Sequence, residues 1–420
     1  MSQSLPMLGV DEAIGIIDST PVHPRRIRVS LGEAAGLWLA EDLRADRDFP
    51  DFDRCVMDGF AVRGEDVASV PVTLRLVGEV AAGSEATSRV NAGQAMAIMT
   101  GGPLPPGADT VVPVEDVEGG WDALDRGTGT VRILRPVKTG ANIAPRGTEA
   151  TAGSVVLPAG TRLGAAQLAV AAAVGAIQLD VYAAPVVGVL ATGNEIVSPD
   201  RRPPPAHVRN SNSVMLAALL RRLGCRPVDL GLVGDDRELL VQALGEGIRL
   251  DALMVSGGMS MGRYDLIPRL LNELGADVKI AKLRIKPGKP FIYALVPRPA
   301  GREDAAGAHC CHVFGLPGNP VSAFVCTVVL AARLLRRLAG GGASERWLNG
   351  ELTAPLPPNG PREFYQPVGL DDAEGKLRVR PLPWRGSADL FTLAQAQGLL
   401  RRPASQPALE TGASVRVMEV

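Results

Sequence analysis

Apolar and polar positions follow three different periods along the chain, and each period predicts a different architecture. At the N-terminus, apolar residues at helical spacing predict a helix over residues 10–18, and a capping-box sequence at 30–34 predicts a second helix through Trp38. Between residues 62 and 137, short Val, Leu and Ile runs are bounded by Gly, Pro and Asn, which predicts a small all-β domain. A helix over 165–174 follows this β region.

The middle third of the chain alternates apolar strands with amphipathic helices, which is the pattern of a doubly wound α/β domain with a parallel sheet. A glycine-rich break at 339–342 ends this region. Short strands and many prolines after residue 347 predict a separate small β domain. The predicted strands of the middle third lie at 186–190, near 228, and at 253–255, 278–285, 291–295 and 313–314, and its helices lie at 213–223, 238–248, 266–274 and 321–338.

Length and composition narrow the class of protein. A chain of 420 residues is too long for one compact core and indicates roughly two to four domains. Lys plus Arg total 44 and Asp plus Glu total 45, so the molecule has no overall field suited to a nucleic acid or an anionic membrane, and an anion site must be local. No apolar run is long enough to span a membrane, and the N-terminus lacks the plan of a secretory signal. We therefore expect a soluble, cytoplasmic protein.

Cysteine and histidine positions give little support to a metal enzyme. The five cysteines form no CxxC pair, and Cys310 and Cys311 are neighbours in a predicted strand, where adjacent side chains point to opposite faces. Free thiols are therefore favoured over a metal or redox pair. The four histidines form no spaced cluster, which disfavours a zinc hydrolase, and the sequence contains no nucleophile elbow.

Glycine-rich loops follow three of the predicted strands, at 191–195, 256–262 and 315–320. Ligands of an open parallel sheet collect at the carboxyl ends of its strands, where glycine lets backbone N–H groups approach and a following helix adds partial positive charge. A single loop of this kind is equally well explained as a tight turn, but three in one sheet predict an anion-binding pocket. The candidate contacts in and around these loops are Thr192, Gly193, Ser256, Gly257, Gly258, Ser260, Gly315, Pro317, Gly318, Asn319, Pro320 and Ser322.

Two lysines on a stiff turn add positive charge to this picture. Lys286 and Lys289 flank Pro287 and Gly288, and proline fixes the backbone while glycine permits the bend. Both ammonium groups are therefore expected to point into the same cleft, where a phosphate or another oxyanion is the natural ligand. The alternative interpretation is a solvated surface turn.

Carboxylates occur beside the same strand ends. Glu195 follows the first glycine, Asp235 follows the strand near 228, and Asp265 follows the second glycine loop. Carboxylates next to bound phosphates often hold Mg²⁺, and Glu195 and Asp235 are the candidate ligands. N-capping of the following helix is the alternative for Asp235, for the adjacent Asp236 and for Asp265, and capping and metal binding are compatible. In the first β region, Asp58 and Thr100 stand in turns that geometry and function explain equally well.

Six segments, in order along essentially the whole chain, resemble the molybdopterin molybdenumtransferases, the family that includes the gephyrin E domain. Their combination is highly specific. The matching segments read VMDGFA at 56–61, IMTG at 98–101, TGNE at 192–195, SGG at 256–258, KPGKP at 286–290 and GLPGNPVS at 315–322.

The resemblance implies a multidomain fold of the α/β plus β class and a homodimer. Each subunit would have four domains, and the active cleft would lie between the α/β domain of one subunit and the β-rich domain of the other. The implied domains are a mixed α/β linker domain (1–46 and 145–182), a β-rich insertion domain (47–144), a doubly wound α/β domain of the molybdopterin-binding type (183–340) and a C-terminal small β-barrel domain (345–420).

The reaction that the resemblance implies is the insertion of molybdate into adenylylated molybdopterin, which depends on Mg²⁺, releases AMP and gives Mo-molybdopterin. The molybdopterin adenylyltransferase of the pathway and apo-molybdoenzymes are the implied protein partners. The resemblance places Asp58 and Thr100 near the cleft of the partner subunit, Glu195, Asp235 and Asp265 around metal and nucleotide, Lys286, Pro287, Gly288 and Lys289 on anionic groups, and Pro317 and Pro320 in the molybdate loop.

The chain departs from the family pattern at a few positions. Asn194 stands where the family commonly has Asp, which removes a charge from the Mg²⁺ region, and Ala144 stands where it tends to have Arg. Glu149 is a candidate for a substitute carboxylate. Three alternatives stay open: a molybdopterin adenylyltransferase, a pterin-binding scaffold without turnover, and a purely structural, oligomer-forming role. The flanking β regions with Asp58 and Thr100 argue against the first, because the stand-alone adenylyltransferases lack them.

Overall fold

The computed structural model describes residues 6–80, 83–84, 88–122, 129–258, 266–298, 310–343, 345–373 and 375–420. The chain forms two compact units. The main unit consists of Met1–Glu41, Ala159–Ala165 and Gln178–Val420, and the insertion unit consists of Asp42–Pro158 and Ala166–Ile177. Each unit is therefore built from segments that are distant in sequence.

Up to residue 182 the regular elements of the chain are mainly short strands. The two helices predicted over 10–18 and 165–174 are confirmed as α1 (Val10–Ser19) and α2 (Ala165–Ala173). The strands are β1 (Arg26–Ser30), β2 (Trp38–Leu39), β3 (Leu43–Arg44), β4 (Arg54–Cys55), β5 (Gly59–Val62), β6 (Val72–Val80), β7 (Gln94–Ile98), β8 (Thr110–Pro113), β9 (Thr130–Ile133), β10 (Ile143–Ala144), β11 (Val155–Leu157) and β12 (Gln178–Tyr182).

The insertion unit is organised around a sheet of order β8-β5-β7-β6-β9. In its edge strand β9, apolar and polar side chains alternate, so that Val131 and Ile133 are buried whereas Thr130 and Arg132 are exposed. Val131 and Ile133 share one core with Phe60. The all-β region predicted from the short apolar runs is therefore confirmed.

The second helix predicted from the capping box is wrong. Ser30 Oγ does donate to Glu33 Oε2, at 2.6 Å, but only a 3-10 turn forms, at Leu31–Glu33. Gly36 then adopts a φ of +80°, which a right-handed helix does not accept, and its N–H donates to Leu163. Trp38 consequently belongs to strand β2. A local cap cannot extend a helix that a tertiary strand pairing interrupts.

From residue 186 to 338, strands and helices alternate as predicted. The predicted helix over 321–338 is interrupted by a π-helical turn at Thr327–Ala331. The strands are β13 (Val186–Thr192), β14 (Ile196–Val197), β15 (Val208–Arg209), β16 (Arg226–Val233), β17 (Ala252–Ser256), β18 (Asp277–Ile280), β19 (Ile285–Lys286), β20 (Ile292–Pro297) and β21 (Cys310–Leu316). The helices are α3 (Asn212–Arg222), α4 (Arg237–Gly247), α5 (Ile267–Glu273), α6 (Pro320–Cys326) and α7 (Ala332–Leu338).

The central sheet of the main unit has the order β16-β13-β17-β21-β20-β18 and is covered by helices on both faces. Successive residues of its inner strands enter different cores: Met254 of β17 joins the core that contains Leu216 of α3, whereas Val255 joins the core that contains Leu244 of α4. Burial of both faces explains why these strands read as unbroken apolar runs.

The sheet is mixed, not wholly parallel as the alternation of strands and helices predicts. Strands β16, β13, β17 and β21 are parallel, but β20 pairs antiparallel with both β21 and β18. Between β18 and β20 the chain contains only the short strand β19 and no helix. A parallel neighbour needs a long crossover, usually through a helix, so this connection permits only the antiparallel arrangement.

Strand β21 carries the adjacent cysteines and a buried histidine. All five cysteines are free, and Cys310 is half-buried whereas Cys311 is buried, as side chains on opposite faces predict. His312 lies with its Nδ1 3.0 Å from the hydroxyl oxygen of Tyr293. Burial, together with the nearby charges of Arg298 and Arg337, lowers the pKa of His312 to about 4.

His312 is expected to make stability fall in mild acid. The unfolded chain binds a proton on this ring near pH 6.5, whereas the folded chain binds it only near pH 4, so its contribution is complete above pH 6.5 and is lost as pH falls towards 4. From pH 8 to pH 5 this amounts to about 2 kcal/mol. Denaturant unfolding of His312→Gln should show a correspondingly smaller loss over that interval, and His207→Gln should behave like the wild type. An equal loss in all three proteins would contradict the assignment.

Beyond residue 346 the predicted small β domain is confirmed as a closed barrel. The strands pair in the order β23-β24-β22-β26-β25, and β25 pairs back onto β23. Strand β19 pairs with the start of β23, at Glu363 and Phe364, which joins the lysine turn to the barrel. None of the described helices is long and apolar enough to cross a membrane. The elements are β22 (Trp347–Leu352), β23 (Glu363–Ala373), β24 (Lys376–Pro381), α8 (Leu390–Leu393), β25 (Gly398–Arg402) and β26 (Ser414–Glu419).

Candidate functional site

A cavity of about 940 Å³ lies where strands β13, β17 and β21 end, and we call it the strand-end cavity. The loop after β13 contributes Glu195, the loop after β17 contributes Gly257 and Gly258, and the loop after β21 contributes 317–320. Since the three strands are parallel, their carboxyl ends meet at one edge of the sheet. The structure therefore brings the three predicted glycine loops together.

Two adjacent glycines form the base of the loop after β17. Gly257 has a φ of +98° and Gly258 a φ of +61°, both in the left-handed region. A Cβ atom on Gly257 would stand 2.1 Å from the carbonyl oxygen of Thr192, at the end of the neighbouring strand. The loop thus lies directly against β13, and only a residue without a side chain permits this approach.

Asn212, at the start of α3, ties two of these loops together. Its Nδ2 donates to Ser256 Oγ at 2.6 Å and to the carbonyl oxygen of Gly318 at 2.8 Å. Its Oδ1 is buried and has no hydrogen-bond partner among the described residues. Because Asn212 also lines the cavity, this oxygen is an acceptor available to a ligand that carries an N–H or O–H group. Sequence reasoning gave Asn212 no role; the only sequence signal is its place at a helix start beside the strand ends.

Asn212→Asp is expected to destabilise the protein by about 2 to 4 kcal/mol. The substitution replaces the Nδ2 donor by a carboxylate oxygen, which would face the carbonyl oxygen of Gly318 in a buried position. Denaturant unfolding measures the change. Asn210→Asp is the matched control, because the Asn210 Oδ1 accepts from the N–H of Ser213 and its Nδ2 donates to Ser213 Oγ, a hydroxyl that can donate to an aspartate instead. Equal unfolding free energies in the two variants would contradict the role of Asn212.

The loop after β21 runs directly into a helix. Asn319 precedes α6, and Pro320 occupies the first helical position, where its missing N–H costs nothing. The Asn319 side chain donates from Nδ2 to Ser387 Oγ at 2.9 Å, and the N–H of Val321 donates to the carbonyl oxygen of Ser387. The loop is therefore fixed to the segment that leads into α8.

The acidic candidates are distributed less compactly than the loops. Glu195 is exposed and lines the cavity, and the N–H of Asp235 donates to Oδ1 of Asn194 at 2.9 Å. Asp236 accepts from two N–H groups of α4, so the capping role predicted for acids in front of helices is confirmed there. Ser260 and Asp265 lie outside the described residues. Within the described ranges, no group of three or more His, Cys, Asp or Glu side chains is placed to hold a metal ion.

The turn sequence predicts that Lys286 and Lys289 point into the same cleft, and this prediction is wrong. The ammonium of Lys286 lies 4.6 Å from the ring centre of Phe364 and 5.2 Å from that of Trp384, in a separate cavity of about 300 Å³ lined by barrel residues. Lys289 is exposed, and neither lysine is among the described residues that line the strand-end cavity. Because β19 pairs with β23 of the barrel, Lys286 points towards the aromatic side chains, which offer cation–π contacts.

The remaining predicted contacts differ in whether they line the cavity. Ser256 lines the cavity together with the glycines and prolines of the loops. Glu195 folds back over Gly193, since a Cβ there would meet its carboxylate at 2.5 Å. Buried in neighbouring segments, and not among the lining residues that the structure describes, are Thr192, Pro287, Gly288, Gly315 and Ser322.

In the insertion unit, Asp58 and Thr100 form one cluster although they lie far apart in sequence. Oδ1 of Asp58 accepts hydrogen bonds from the N–H and from Oγ1 of Thr100, both at 2.7 Å. These bonds, the backbone one foremost, lower the pKa of Asp58, so the exposed carboxylate stays charged. Glu149 forms an ion pair with Arg54, whose Nη2 lies 2.6 Å from Oε1 of the glutamate.

Three family models match successive parts of the chain. Residues 8–175 match the MoeA N-terminal region (domain I and II), residues 188–337 a probable molybdopterin binding domain, and residues 349–420 the MoeA C-terminal region (domain IV). The molybdopterin molybdenumtransferase of Nostoc sp. is 32% identical over 93% of this chain and 88% of its own length, and that of Synechococcus elongatus is 35% identical over 93% of both. The crystal structure of the molybdopterin biosynthesis moeA protein from Pyrococcus horikoshii OT3 covers 99% of this chain and 100% of its own, with a TM-score of 0.75 and 26% identity.

Proposed function

Because this chain belongs to the MoeA family of molybdopterin molybdenumtransferases, we propose that it inserts molybdate into adenylylated molybdopterin and releases AMP. Its class is that of a transferase in molybdenum cofactor biosynthesis. The observation that carries the proposal is the convergence of three glycine loops on the strand-end cavity.

The cavity suits an anionic pterin nucleotide. Backbone N–H groups of Gly258 and Gly318, in two of the loops that line the cavity, supply donors of the kind that phosphate and molybdate oxygens accept. Molybdate needs such donors and no soft protein ligands, because the dithiolene of the pterin supplies the sulfur. In this proposal the chain binds and orients the two substrates, and AMP leaves as molybdenum enters the dithiolene.

Mg²⁺ forms part of the same proposal. Proteins usually hold Mg²⁺ with one or two carboxylates, while waters and substrate phosphates complete its shell. Glu195, at the cavity, and Asp235, in the neighbouring loop, fit that limited role. Bound there, the ion would neutralise phosphate charge in the reaction. Asn194 lies beside Asp235 without adding a charge.

A homodimer completes the proposed active site. As the family resemblance implies, Asp58 and Thr100 of one subunit would act at the cleft of the other. The hydrogen bonds from Thr100 hold the Asp58 carboxylate charged and oriented for that task. The same proposal includes the four-domain division and the cytoplasmic location. It also includes the protein partners: the adenylyltransferase would supply the substrate, and apo-molybdoenzymes would receive the product.

The test is an assay of AMP release by the full chain. Purified protein is incubated with adenylylated molybdopterin and Mg²⁺, with and without molybdate. We expect AMP to appear only when molybdate is present. Consumption of ATP in the presence of molybdopterin would instead indicate an adenylyltransferase. Tight binding of the pterin nucleotide without AMP release would indicate a scaffold, and either result would overturn the proposal.

A further inference from the structure

Phe391 is an apolar side chain in an unusual place. Its exposed fraction is 85%, and among the described large hydrophobic residues the next is Ile177 at 73%. A single exposed apolar side chain is ordinary on a protein surface and by itself indicates nothing. Phe391, however, lines the strand-end cavity, where a ligand is expected to bind. Its exposure therefore coincides with a cavity to which the glycine loops contribute.

The backbone that carries Phe391 is held rigidly. Asp389 caps α8, with Oδ1 accepting from the N–H of Thr392 at 3.1 Å and Oδ2 accepting from Thr392 Oγ1 at 2.7 Å. Leu393 is buried, and Leu390 packs against the main core. With two side chains of this short helix anchored in the core, the exposed ring of Phe391 cannot turn inward without unfolding α8.

The same helix is fixed relative to the loop after β21. Asn319 Nδ2 donates to Ser387 Oγ at 2.9 Å, and the N–H of Val321 donates to the carbonyl oxygen of Ser387 at 3.1 Å. Ser387 lies four residues before Phe391 in sequence. The aromatic ring and the proposed anion loop are therefore parts of one connected structure.

We propose that Phe391 is the platform on which a flat heteroaromatic ring of the substrate stacks while its anionic group lies at the glycine loops. This inference rests on the proposed function, since it assigns one part of the same substrate. Stacking of a nucleobase-like ring on an aromatic side chain is favourable and tolerant of ring identity. Pterin and adenine both have the required flat ring.

A second, independent observation indicates a ligand of this class. The exposed fraction of Asn212 is 7%, and its Oδ1 has no partner among the described residues although it belongs to the same cavity. A buried acceptor of this kind is matched by a ligand that carries a donor. Both pterin and adenine bear an exocyclic amino group, so the cavity offers complements to the polar edge and to the flat face of such rings.

The experiment compares ring-bearing and ring-free probes on the full chain. Dissociation constants for AMP, for pterin-6-carboxylate and for inorganic phosphate are measured with wild type, Phe391→Ala and Phe391→Tyr, and Ile177→Ala serves as the control for loss of an exposed apolar side chain. We expect Phe391→Ala to weaken binding of at least one ring-bearing probe about tenfold or more, and to leave phosphate binding unchanged. Phe391→Tyr should restore the affinity. Selective loss of AMP would identify the ring as adenine, and selective loss of the pterin would identify it as pterin.

Other outcomes overturn the inference. Unchanged affinity of Phe391→Ala for both ring-bearing probes, or an equal loss for phosphate, would exclude stacking while wild-type AMP release still supported the proposed function. The reverse result separates the two ideas as well. If wild type bound the ring-bearing probes through Phe391 but released no AMP from adenylylated molybdopterin, the stacking site would stand and the proposed reaction would fail.

Discussion

Gly257→Ala is expected to reduce the rate of AMP release about 100-fold or more and to lower the free energy of unfolding by about 3 kcal/mol. The new methyl group would stand 2.1 Å from the backbone oxygen of Thr192, and the φ of +98° disfavours any side chain. Relief requires the loop to move away from β13. That movement would also break the hydrogen bond from the N–H of Gly257 to Leu316, and with it the alignment of donors around the cavity.

A second glycine separates the clash from backbone strain. Gly224 has a φ of +82°, but no atom lies within 4 Å of the place where its Cβ would be. Gly224→Ala should therefore cost only about 1 kcal/mol of stability and leave AMP release unchanged. Unfolding curves and AMP assays on both variants make the comparison. Similar activities for the two variants would mean that the glycine loop does not shape the reaction site.

Asp58→Asn is expected to reduce AMP release about 100-fold while the fold survives. An asparagine keeps an oxygen at the Oδ1 position, so the two hydrogen bonds from Thr100 can persist. Only the negative charge is lost. Steady-state rates of AMP release, measured beside a thermal unfolding curve for each protein, distinguish loss of catalysis from loss of structure.

Asp66→Asn is the matched control for that charge. Asp66 is also an aspartate of the insertion unit, and its Oδ2 accepts from the N–H of Gly93 at 3.0 Å. We expect wild-type rates from Asp66→Asn. If Asp58→Asn released AMP as fast as the control, the hydrogen bonds between Asp58 and Thr100 would serve only to stabilise a turn.

Much of the fold of the main unit can be predicted from the local pattern of residue types in the sequence. Strands β13 and β17 are apolar on both faces because helices cover both sides, and that pattern is visible in sequence. The glycine-rich sequence at 256–258 marks a close backbone approach, because a side chain at Gly257 has no space. Asp236 precedes a helix and caps it, as its residue type predicts. These features depend on neighbours in sequence or on one parallel sheet.

Features that depend on distant pairings were not predictable in this way. Lys286 turns towards Phe364 and Trp384 because β19 pairs with the barrel, some eighty residues further along the chain. Asn212 joins two loops through hydrogen bonds that span 44 and 106 residues. Neither the helix start at Asn212 nor the turn at Lys286 contains information about those partners. Sequence reasoning located the loops correctly and misjudged which side chains surround them.

The most direct test of the account is a crystal structure of this protein with AMP bound. The account predicts phosphate oxygens within hydrogen-bond distance of the backbone N–H groups of Gly258 and Gly318, inside the strand-end cavity. A phosphate held instead by Lys286 in the cavity at the barrel, with the strand-end cavity empty, would contradict it.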